Sequence, residues 1–289
     1  MAAPLGLEPR QADPESAVLP LHHRAVDLLL YKMNTVIVCL TACVASGLTL
    51  FSGFGLGTLL LPVFALWFPL PSAIALTAVV HLLNTLFKLG LLGRYAEKRI
   101  VVAFGMPALV SAWVGAWVLT VLTQVPLVFR YFFLGTERSV TLVKVIVGTL
   151  MILFGLAECL PKLKDITFKP RYLPWGGLLS GFFGGLSGHQ GAFRSAFLAK
   201  SGLSTEQFLG TGIVIAVLID LARISVYWGR LGAVDLAAHG PILIFATLAA
   251  WIGAWIGSRL AKKVTIQTVQ AMVAAFLFLI AGGLISGLI

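Results

Sequence analysis

The sequence predicts an all-α polytopic membrane protein with about eight transmembrane helices, arranged as two parallel four-helix repeats in which helices 1 and 5 are broken. Composition is the first observation behind this prediction, because 59% of the 289 residues are hydrophobic and only 11% are charged. A soluble domain would carry roughly a quarter charged residues, so a soluble fold could not bury this much apolar surface. A series of apolar segments and an internal repeat are the other two observations.

The apolar segments follow a polar tail at residues 1–32. They cover residues 34–67, 72–93, 101–123, 140–160, 172–199, 206–228, 236–258 and 265–288. Most are close to the ~20 residues that span a bilayer, but the first and fifth are longer and contain clusters of glycines. Irregular backbone is tolerated at membrane depth only where protein covers it or where it lines a wet cavity. We therefore predict a broken helix in each of these two segments.

The net charge of +10 lies mainly in short connections between apolar segments. Such charges set orientation in the bilayer and contact anionic lipid, so we predict no nucleic-acid partner. The tail and the connections after segments two, four and six hold more basic residues than the opposite connections. Because basic residues favour the cytoplasmic side, the sequence favours a multi-pass protein of the cell membrane, a bacterial inner membrane, with both termini inside.

Short motifs recur in the same order about 135–138 residues apart. Ser52-Gly53 matches Ser187-Gly188, Gly93-Arg94 matches Gly229-Arg230, and the WVGAW motif at residues 113–117 matches WIGAW at residues 251–255. Three collinear matches indicate duplication of a four-span unit, so we predict a first repeat at residues 33–160 and a second at 161–289. Because four is an even number, both copies would keep one orientation, with their symmetry axis along the membrane normal.

Ionisable side chains lie along one face of span two and one face of span six. The first face carries Thr77, His81, Asn84 and Lys88, and the second carries Asp220, Arg223 and Tyr227. Such groups are costly in a membrane and usually face the interior of a helix bundle. Three other roles stay open: Lys88 could extend to the interface, His81 could bond a carbonyl, and Asp220 could pair with Arg223 for structure alone. With Arg194 included, positive charge exceeds negative charge in the interior, which suits an anion.

The two glycine clusters have chemical consequences as well. Glycine allows close backbone approach, and each break is followed by a half-helix whose free N-terminal amides can bind an anion. We expect Ser52 and Ser187 to cap these half-helices or to donate to a ligand, and Arg194 to strengthen the positive field. The two breaks are therefore predicted to face each other and form one site.

The predicted site needs no metal and no cofactor, and none of its residues is assigned a catalytic role. Its substrate-binding residues are predicted to be Ser52, Gly53, Gly55, Gly57, His81, Asn84, Ser187, Gly188, His189, Gln190, Gly191 and Arg194. Asp220, Arg223 and Lys88 are predicted to form a charge network, in which Asp220 or the nearby His81 could carry a coupling proton. The predicted partners are a small anionic substrate, the lipid bilayer and this proton.

The chain resembles the TauE/SafE sulfite exporter family of membrane transporters over residues 35–288. The stretch at residues 52–57, SGFGLG, is followed by Pro62, and both are similar to that family's glycine signature and its following proline. The Gly93-Arg94 ending of span two and the four-plus-four arrangement also fit, whereas Ala192, Phe193 and Arg194 depart from the pattern. The resemblance implies a secondary transporter, not an enzyme, for small sulfur-containing anions such as sulfite, thiosulfate or organosulfonates.

Two other functions remain as alternatives. An anion channel could use the same cavity without alternating access. An intramembrane serine hydrolase could use Ser187, since residues 185–188 form a GxSG string and His239 lies about fifty residues later. A Ser–His dyad requires only that those two groups be in contact.

Overall fold

A computed structural model of the protein describes residues 33–47, 56–125, 127–133, 135–159, 167–231, 236–260 and 266–289. The predicted tail lies outside these ranges, as do Ser52, Gly53 and Gly55 of the first glycine cluster. Within them the chain is almost entirely helical, with one β-hairpin. The helix bounds fall within a few residues of the predicted apolar segments.

The described helices and strands are numbered in chain order. The helices are α1 (Met33–Gly47), α2 (Leu56–Ala65), α3 (Leu70–Leu92), α4 (Lys98–Leu122), α5 (Leu142–Cys159), α6 (Leu173–Ser187), α7 (Gly191–Leu198), α8 (Thr205–Leu231), α9 (Leu236–Leu260) and α10 (Ile266–Ile285). The strands are β1 (Leu127–Phe133) and β2 (Thr136–Thr141), paired antiparallel. In the described part of the chain, α3, α4, α8 and α9 are long and apolar enough to cross a membrane, as expected for a polytopic membrane protein.

The second glycine cluster interrupts its helix. Helix α6 ends where Gly188 adopts a φ of +81°, and α7 begins at Gly191. This left-handed conformation favours glycine because it has no Cβ to clash with the backbone. The chain then turns back, since Gly176 of α6 lies against Phe197 of α7, and the backbone amide of Phe168 donates to the carbonyl of Ala196 at 3.4 Å. Helices α6 and α7 therefore form a re-entrant hairpin that enters and leaves at one end of the bundle.

The first glycine cluster lies between two helices that also return to one end. Cys43 and Gly47 of α1 lie against Gly253 and Gly257 of α9, so α1 runs parallel to α9. The ring of Phe68, just after α2, lies 5.0 Å from the ring of His239 near the start of α9, at a tilt of 51°. The start of α1 and the end of α2 therefore lie at the end of the bundle where α9 begins, which is opposite to the end that holds the α6–α7 hairpin.

The described helices do not confirm the prediction of eight spans in two parallel repeats. Each glycine-broken segment returns to the end of the bundle where it began. Among the described residues, three helices of each half run from one end of the bundle to the other, namely α3, α4 and α5 in the first half and α8, α9 and α10 in the second. Of these, α3, α4, α8 and α9 are long and apolar enough to cross a membrane. Because three is odd, the two halves run in opposite directions, as they do in inverted-topology repeats.

Glycines join the two halves by close helix contacts. A methyl group on Gly115 of α4 would overlap the carbonyl oxygen of Phe182 in α6, and one on Gly253 of α9 would overlap that of Cys43 in α1. Each re-entrant hairpin thus packs on a crossing helix of the other half. Gly115 and Gly253 are the central residues of the repeated WVGAW and WIGAW motifs. The repeated motif therefore makes corresponding contacts in the two halves, which small residues permit.

The β-hairpin was not predicted from the sequence, which we interpreted there as a connection. Arg130 of β1 pairs with Glu137 of β2 at 3.1 Å, and the Tyr131 hydroxyl donates to the carbonyl of Ser286 after α10. The available signal was the aromatic run at residues 129–133 followed by Gly135, which favours a strand and a turn.

Candidate functional site

Helices α3 and α8 bring their ionisable faces together around one carboxylate. The Nδ1 atom of His81 lies 2.5 Å from Oδ2 of Asp220, and Nη2 of Arg223 lies 2.8 Å from Oδ1. Oδ1 also accepts a hydrogen bond from Nε2 of Gln190 at 3.3 Å. Asp220 is fully buried, so a single acidic side chain links both halves of the protein to the second break. His81 does not bond a backbone carbonyl, which was the structural alternative.

The loop between α6 and α7 supplies the polar groups of the second break. Gln190 accepts a hydrogen bond from Nη1 of Arg194 at 3.4 Å while it donates to Asp220. Its backbone carbonyl accepts a bond from Ser180 at 2.8 Å. His189 stacks on Phe154 with ring centroids 5.0 Å apart and an interplanar angle of 3°. The break is therefore held in place by contacts with Asp220, Ser180 and Phe154, and α7 begins directly after it at Gly191.

Ser187 does not cap the second half-helix. Its hydroxyl donates to the carbonyl of Phe183, four residues earlier in α6, at 3.1 Å. A serine near the end of a helix can reach this carbonyl more easily than an amide beyond the next turn. Gln190 stands at the N-cap of α7 and makes no side-chain capping bond. The expectation of a Ser187 cap is therefore wrong.

The start of α2 brings the first break to the second. A methyl group on Gly57 would lie 3.6 Å from the carbonyl oxygen of Gly188 and 3.6 Å from Cδ2 of His81. Of the predicted first-break residues, Gly57 is the one within the described ranges. It places the first half-helix directly beside the second break and the His81–Asp220 pair.

Asn84 and Lys88 contact α1 instead of the His81–Asp220 pair. Oδ1 of Asn84 accepts a hydrogen bond from the Ser46 hydroxyl at 3.0 Å, and Nζ of Lys88 lies 3.4 Å from the Ser46 carbonyl oxygen. Lys88 is 7% exposed, so it does not extend to the interface. Ser46 was missed from the sequence, because nothing in its sequence context distinguishes it from other serines.

Positive charge exceeds negative charge in this buried region. Lys88, Arg194 and Arg223 are each at most 9% exposed, and among the residues of described burial they face one buried carboxylate, that of Asp220. Arg223 and Asp220 are within ion-pair distance, but within the described part of the chain the Nε, Nη1 and Nη2 atoms of Arg223 make no hydrogen bond of good geometry. The contact is therefore an ion pair without well-directed guanidinium hydrogen bonds. Arg223 is thus a buried cation with donor capacity left over.

The spare donors of Arg223 face the second break. A methyl group on Gly188 would lie 3.0 Å from Nη1 of Arg223. The Nε2 atom of His189 is also buried and has no hydrogen-bond partner among the described residues. Unsatisfied buried polar atoms cost about 1–3 kcal/mol each, and their concentration at one point is typical of a site that receives a ligand. A guanidinium with free N–H groups suits an oxyanion.

The proposed partner of Ser187 in a hydrolase dyad lies elsewhere. The ring of His239 contacts that of Phe68, and the imidazole beside Ser187 is that of His189, with Nδ1 at 3.1 Å from the hydroxyl oxygen. The Ser187–His239 pairing is therefore not formed in this structure.

Comparison with known proteins identifies a family whose sequence pattern extends over most of the chain. A search of curated proteins found no match to the chain. The model of the family described as sulfite exporter TauE/SafE matches residues 38–284. This match covers both breaks, all six crossing helices and the buried charge cluster. The chain therefore belongs to the sulfite exporter TauE/SafE family of membrane transporters.

Proposed function

We propose that the protein is a secondary transporter of a small oxyanion, bound where the two helix breaks meet. The observation that carries this proposal is the buried guanidinium of Arg223, whose nitrogen atoms lack well-formed hydrogen bonds and face Gly188. The N-terminal amides of α7 are further donors near the same point. By family membership, sulfite or a related sulfur oxyanion is the substrate we propose.

The closed state of the site supports a transporter over a channel. His81, Gln190, Arg194 and Asp220 are all buried, at no more than 9% exposure. A substrate could reach them only after a movement of the surrounding helices, which is the behaviour of alternating access. An anion channel would need a continuous open path. Saturable flux coupled to a gradient supports the transporter, whereas ohmic current supports the channel.

We assign the coupling proton to the His81–Asp220 pair. Asp220 contacts His81 and Arg223 at the same time, so an anion that binds Arg223 competes with the carboxylate for the guanidinium. A proton on the pair weakens the hold of Asp220 on Arg223 and so favours anion binding. Anion and proton then bind together and move in the same direction.

The test uses purified protein in lipid vesicles loaded without sulfite. Wild type is expected to accumulate sulfite when the outside is more acidic than the inside, relative to protein-free vesicles. Asp220→Asn is expected to retain sulfite exchange without a pH gradient but to lose gradient-driven accumulation. Absence of saturable sulfite flux in wild type would reject the function, and gradient-driven accumulation by Asp220→Asn would reject the coupling assignment.

The basic residues suggest which end of the bundle is cytoplasmic. Helices α3, α5, α7 and α9 end at the same end of the bundle. In the sequence, the segments that follow these helices, up to the first turn of the next helix, contain Arg94, Lys98, Arg99, Lys162, Lys164, Lys169, Arg171, Lys200, Lys262 and Lys263. By the positive-inside rule this end faces the cytoplasm. The start of α1 and the end of α10 then lie on the opposite side, which reverses the orientation expected from eight crossings.

A hydrolase is the second candidate, favoured by the 3.1 Å contact between Ser187 and His189. The Ser187 hydroxyl donates to Phe183 instead of to this imidazole, which weakens the case for an activated nucleophile. Covalent labelling of Ser187 by a fluorophosphonate, absent in Ser187→Ala, would support the hydrolase.

A further inference from the structure

A polar cavity lies at the end of the bundle where α3 ends and α4 begins. It has a volume of about 590 Å³ and is bounded by the α3–α4 connection, the start of α6 and the α7–α8 connection. Its polar lining includes Glu97, Arg99, Arg171, Ser201 and Gln207. Arg99, Arg171 and Gly202 of this lining are exposed, so the cavity opens to the surface.

The side chains of this cavity suit a small anion. The guanidinium of Arg171 is held 4.7 Å above the ring of Tyr172 and donates to its hydroxyl at 2.6 Å. Arg99 has no acceptor among the residues that the structure describes. Glu97 opposes the two arginines, leaving the charge of the lining at net positive. Two guanidinium groups across one opening attract anions and can bind an oxyanion.

Helix α8 connects this cavity to the buried site. Gln207 lines the cavity, and a methyl group on Gly212 would lie 3.3 Å from Nε of Arg194. At 1.5 Å per residue, Arg194 lies about 8 Å deeper than the cavity along α8, and Asp220 about 20 Å deeper. Basic side chains therefore occur at three successive depths, in the cavity, at Arg194 and at Arg223.

A closed apolar layer separates the cavity from the buried site. Ile100 and Leu173 line the cavity and belong to the same buried apolar cluster as Phe104, Phe197 and Ile215. Phe104 and Ile215 are fully buried. The layer includes Phe197 of α7, so movement of the re-entrant hairpin would open it.

We propose that this cavity is an anion-capturing vestibule that loads the buried site, with Arg194 as the intermediate position. The inference rests on the proposed function and adds to it the route by which the anion arrives from one side. Capture occurs by electrostatic attraction at Arg99 and Arg171, so it is sensitive to salt. The chemical class of the ligand is a small oxyanion.

The first measurement detects the vestibule without any transport. Ser201→Cys is made in a chain whose native Cys39, Cys43 and Cys159 are replaced by alanine. The new thiol is treated with an anionic or a cationic methanethiosulfonate. The anionic reagent is expected to react several-fold faster, relative to their ratio on a free thiol, and Arg99→Gln with Arg171→Gln is expected to remove this preference.

Arg94→Gln is the matched control. Arg94 lies 4.7 Å over the ring of Tyr95 and donates to its hydroxyl at 2.6 Å, the same arrangement as Arg171 and Tyr172. It lies at the same end of the bundle but does not line the cavity. The control is expected to keep the reagent preference of wild type.

The second measurement is sulfite uptake into vesicles, with the vestibule on the outside. The double variant is expected to raise the apparent KM several-fold, with a maximal rate within about twofold of wild type, and high salt is expected to remove the difference. An unchanged reagent preference in the double variant overturns the vestibule, and an unchanged KM overturns its loading role. If wild type shows the reagent preference but no sulfite flux, the proposed function and the loading role fail while anion capture stands.

Discussion

The two re-entrant hairpins occupy corresponding places at opposite ends of the molecule, but their surroundings differ. Leu203 follows α7 and lines the open cavity, whereas its counterpart about 135 residues earlier, Phe68, packs against the ring of His239. One end is therefore open and the other is filled by an aromatic contact. In an inverted repeat the exchange of these two arrangements would move access from one side to the other.

The charged residues differ between the halves as well. Lys88 and Arg223 are 135 residues apart, the same interval that relates Ser52 to Ser187. Lys88 contacts the carbonyl of Ser46, while Arg223 contacts the carboxylate of Asp220. Thr85 stands at the position that corresponds to Asp220. At this pair of positions each half thus contributes a buried cation, but a carboxylate lies beside the cation of the second half and a threonine takes its place in the first.

The largest expected effect comes from removing one of these cations. Arg223→Gln is expected to lower sulfite affinity about 10–100-fold, because hydrogen bonds to charged groups contribute about 1.5–3 kcal/mol. Lys88→Gln is expected to lower it less than tenfold, since Lys88 is already bonded to Ser46. Binding is measured as stabilisation of the purified protein against thermal unfolding across sulfite concentrations.

Loss of Arg223 also removes the permanent cation that neutralises Asp220, so a second variant is needed as a control. Arg223→Gln combined with Asp220→Asn removes the buried charge on both sides. This double variant is expected to regain unfolding stability without regaining affinity. Equal losses of sulfite affinity in Arg223→Gln and Lys88→Gln would mean that the buried cations of the two halves contribute equally to sulfite binding.

A smaller effect is expected from the glycines where the breaks meet. Gly188→Ala places a side chain at a φ of +81° and 3.0 Å from Nη1 of Arg223. The left-handed conformation alone costs roughly 1–2 kcal/mol. Gly57→Ala meets the second break only at ordinary contact distances of 3.6 Å, so it should be tolerated. The unfolding midpoint of each variant in detergent measures the difference.

Equal unfolding temperatures for Gly188→Ala and Gly57→Ala would contradict the predicted difference between the two breaks. Gly90→Ala is a suitable control for helix propensity, because a methyl group there meets nothing within 4 Å. Alanine in an exposed part of a helix is expected to stabilise the protein slightly.

The sequence allowed the helix bounds, the second break and the polar faces of α3 and α8 to be predicted, because hydropathy and glycine spacing are local signals. It did not distinguish a broken crossing from a re-entrant hairpin, since both require a similar number of apolar residues. Two contacts identify the α6–α7 segment as a hairpin, one between Gly176 and Phe197 and one between Phe168 and Ala196. Each joins residues that are more than twenty positions apart in the chain. Counting a glycine-broken segment as a crossing changes the number of crossings in a half from three to four, and this reverses the orientation expected for the half that follows.

The site could be predicted as a list of residues but not as a set of contacts. His81 and Asp220 were both candidates, but their contact depends on the packing of α3 against α8 across 139 residues of sequence. Ser46 has no feature that separates it from other serines until α1 is placed beside α3. For Ser187 the sequence predicted a contact that does not form. Its glycine-rich context suggested a cap for α7, but its hydroxyl donates to the nearer carbonyl of Phe183 in its own helix.

The smallest effect is expected at His189, and its direction separates recognition from packing. Phenylalanine at this position would preserve the stacking on Phe154 and remove Nε2, a buried atom without a partner. It would also remove the contact with Ser187. Because an unsatisfied buried polar atom costs about 1–3 kcal/mol, His189→Phe should unfold at the same temperature as wild type or higher. If Nε2 forms a hydrogen bond with the bound substrate, sulfite affinity should nevertheless fall about three- to tenfold, near the ~1 kcal/mol of a single hydrogen bond. A variant with raised stability and unchanged affinity would remove His189 from the site, and the polar character of the second break would then rest on Gln190 and Arg194.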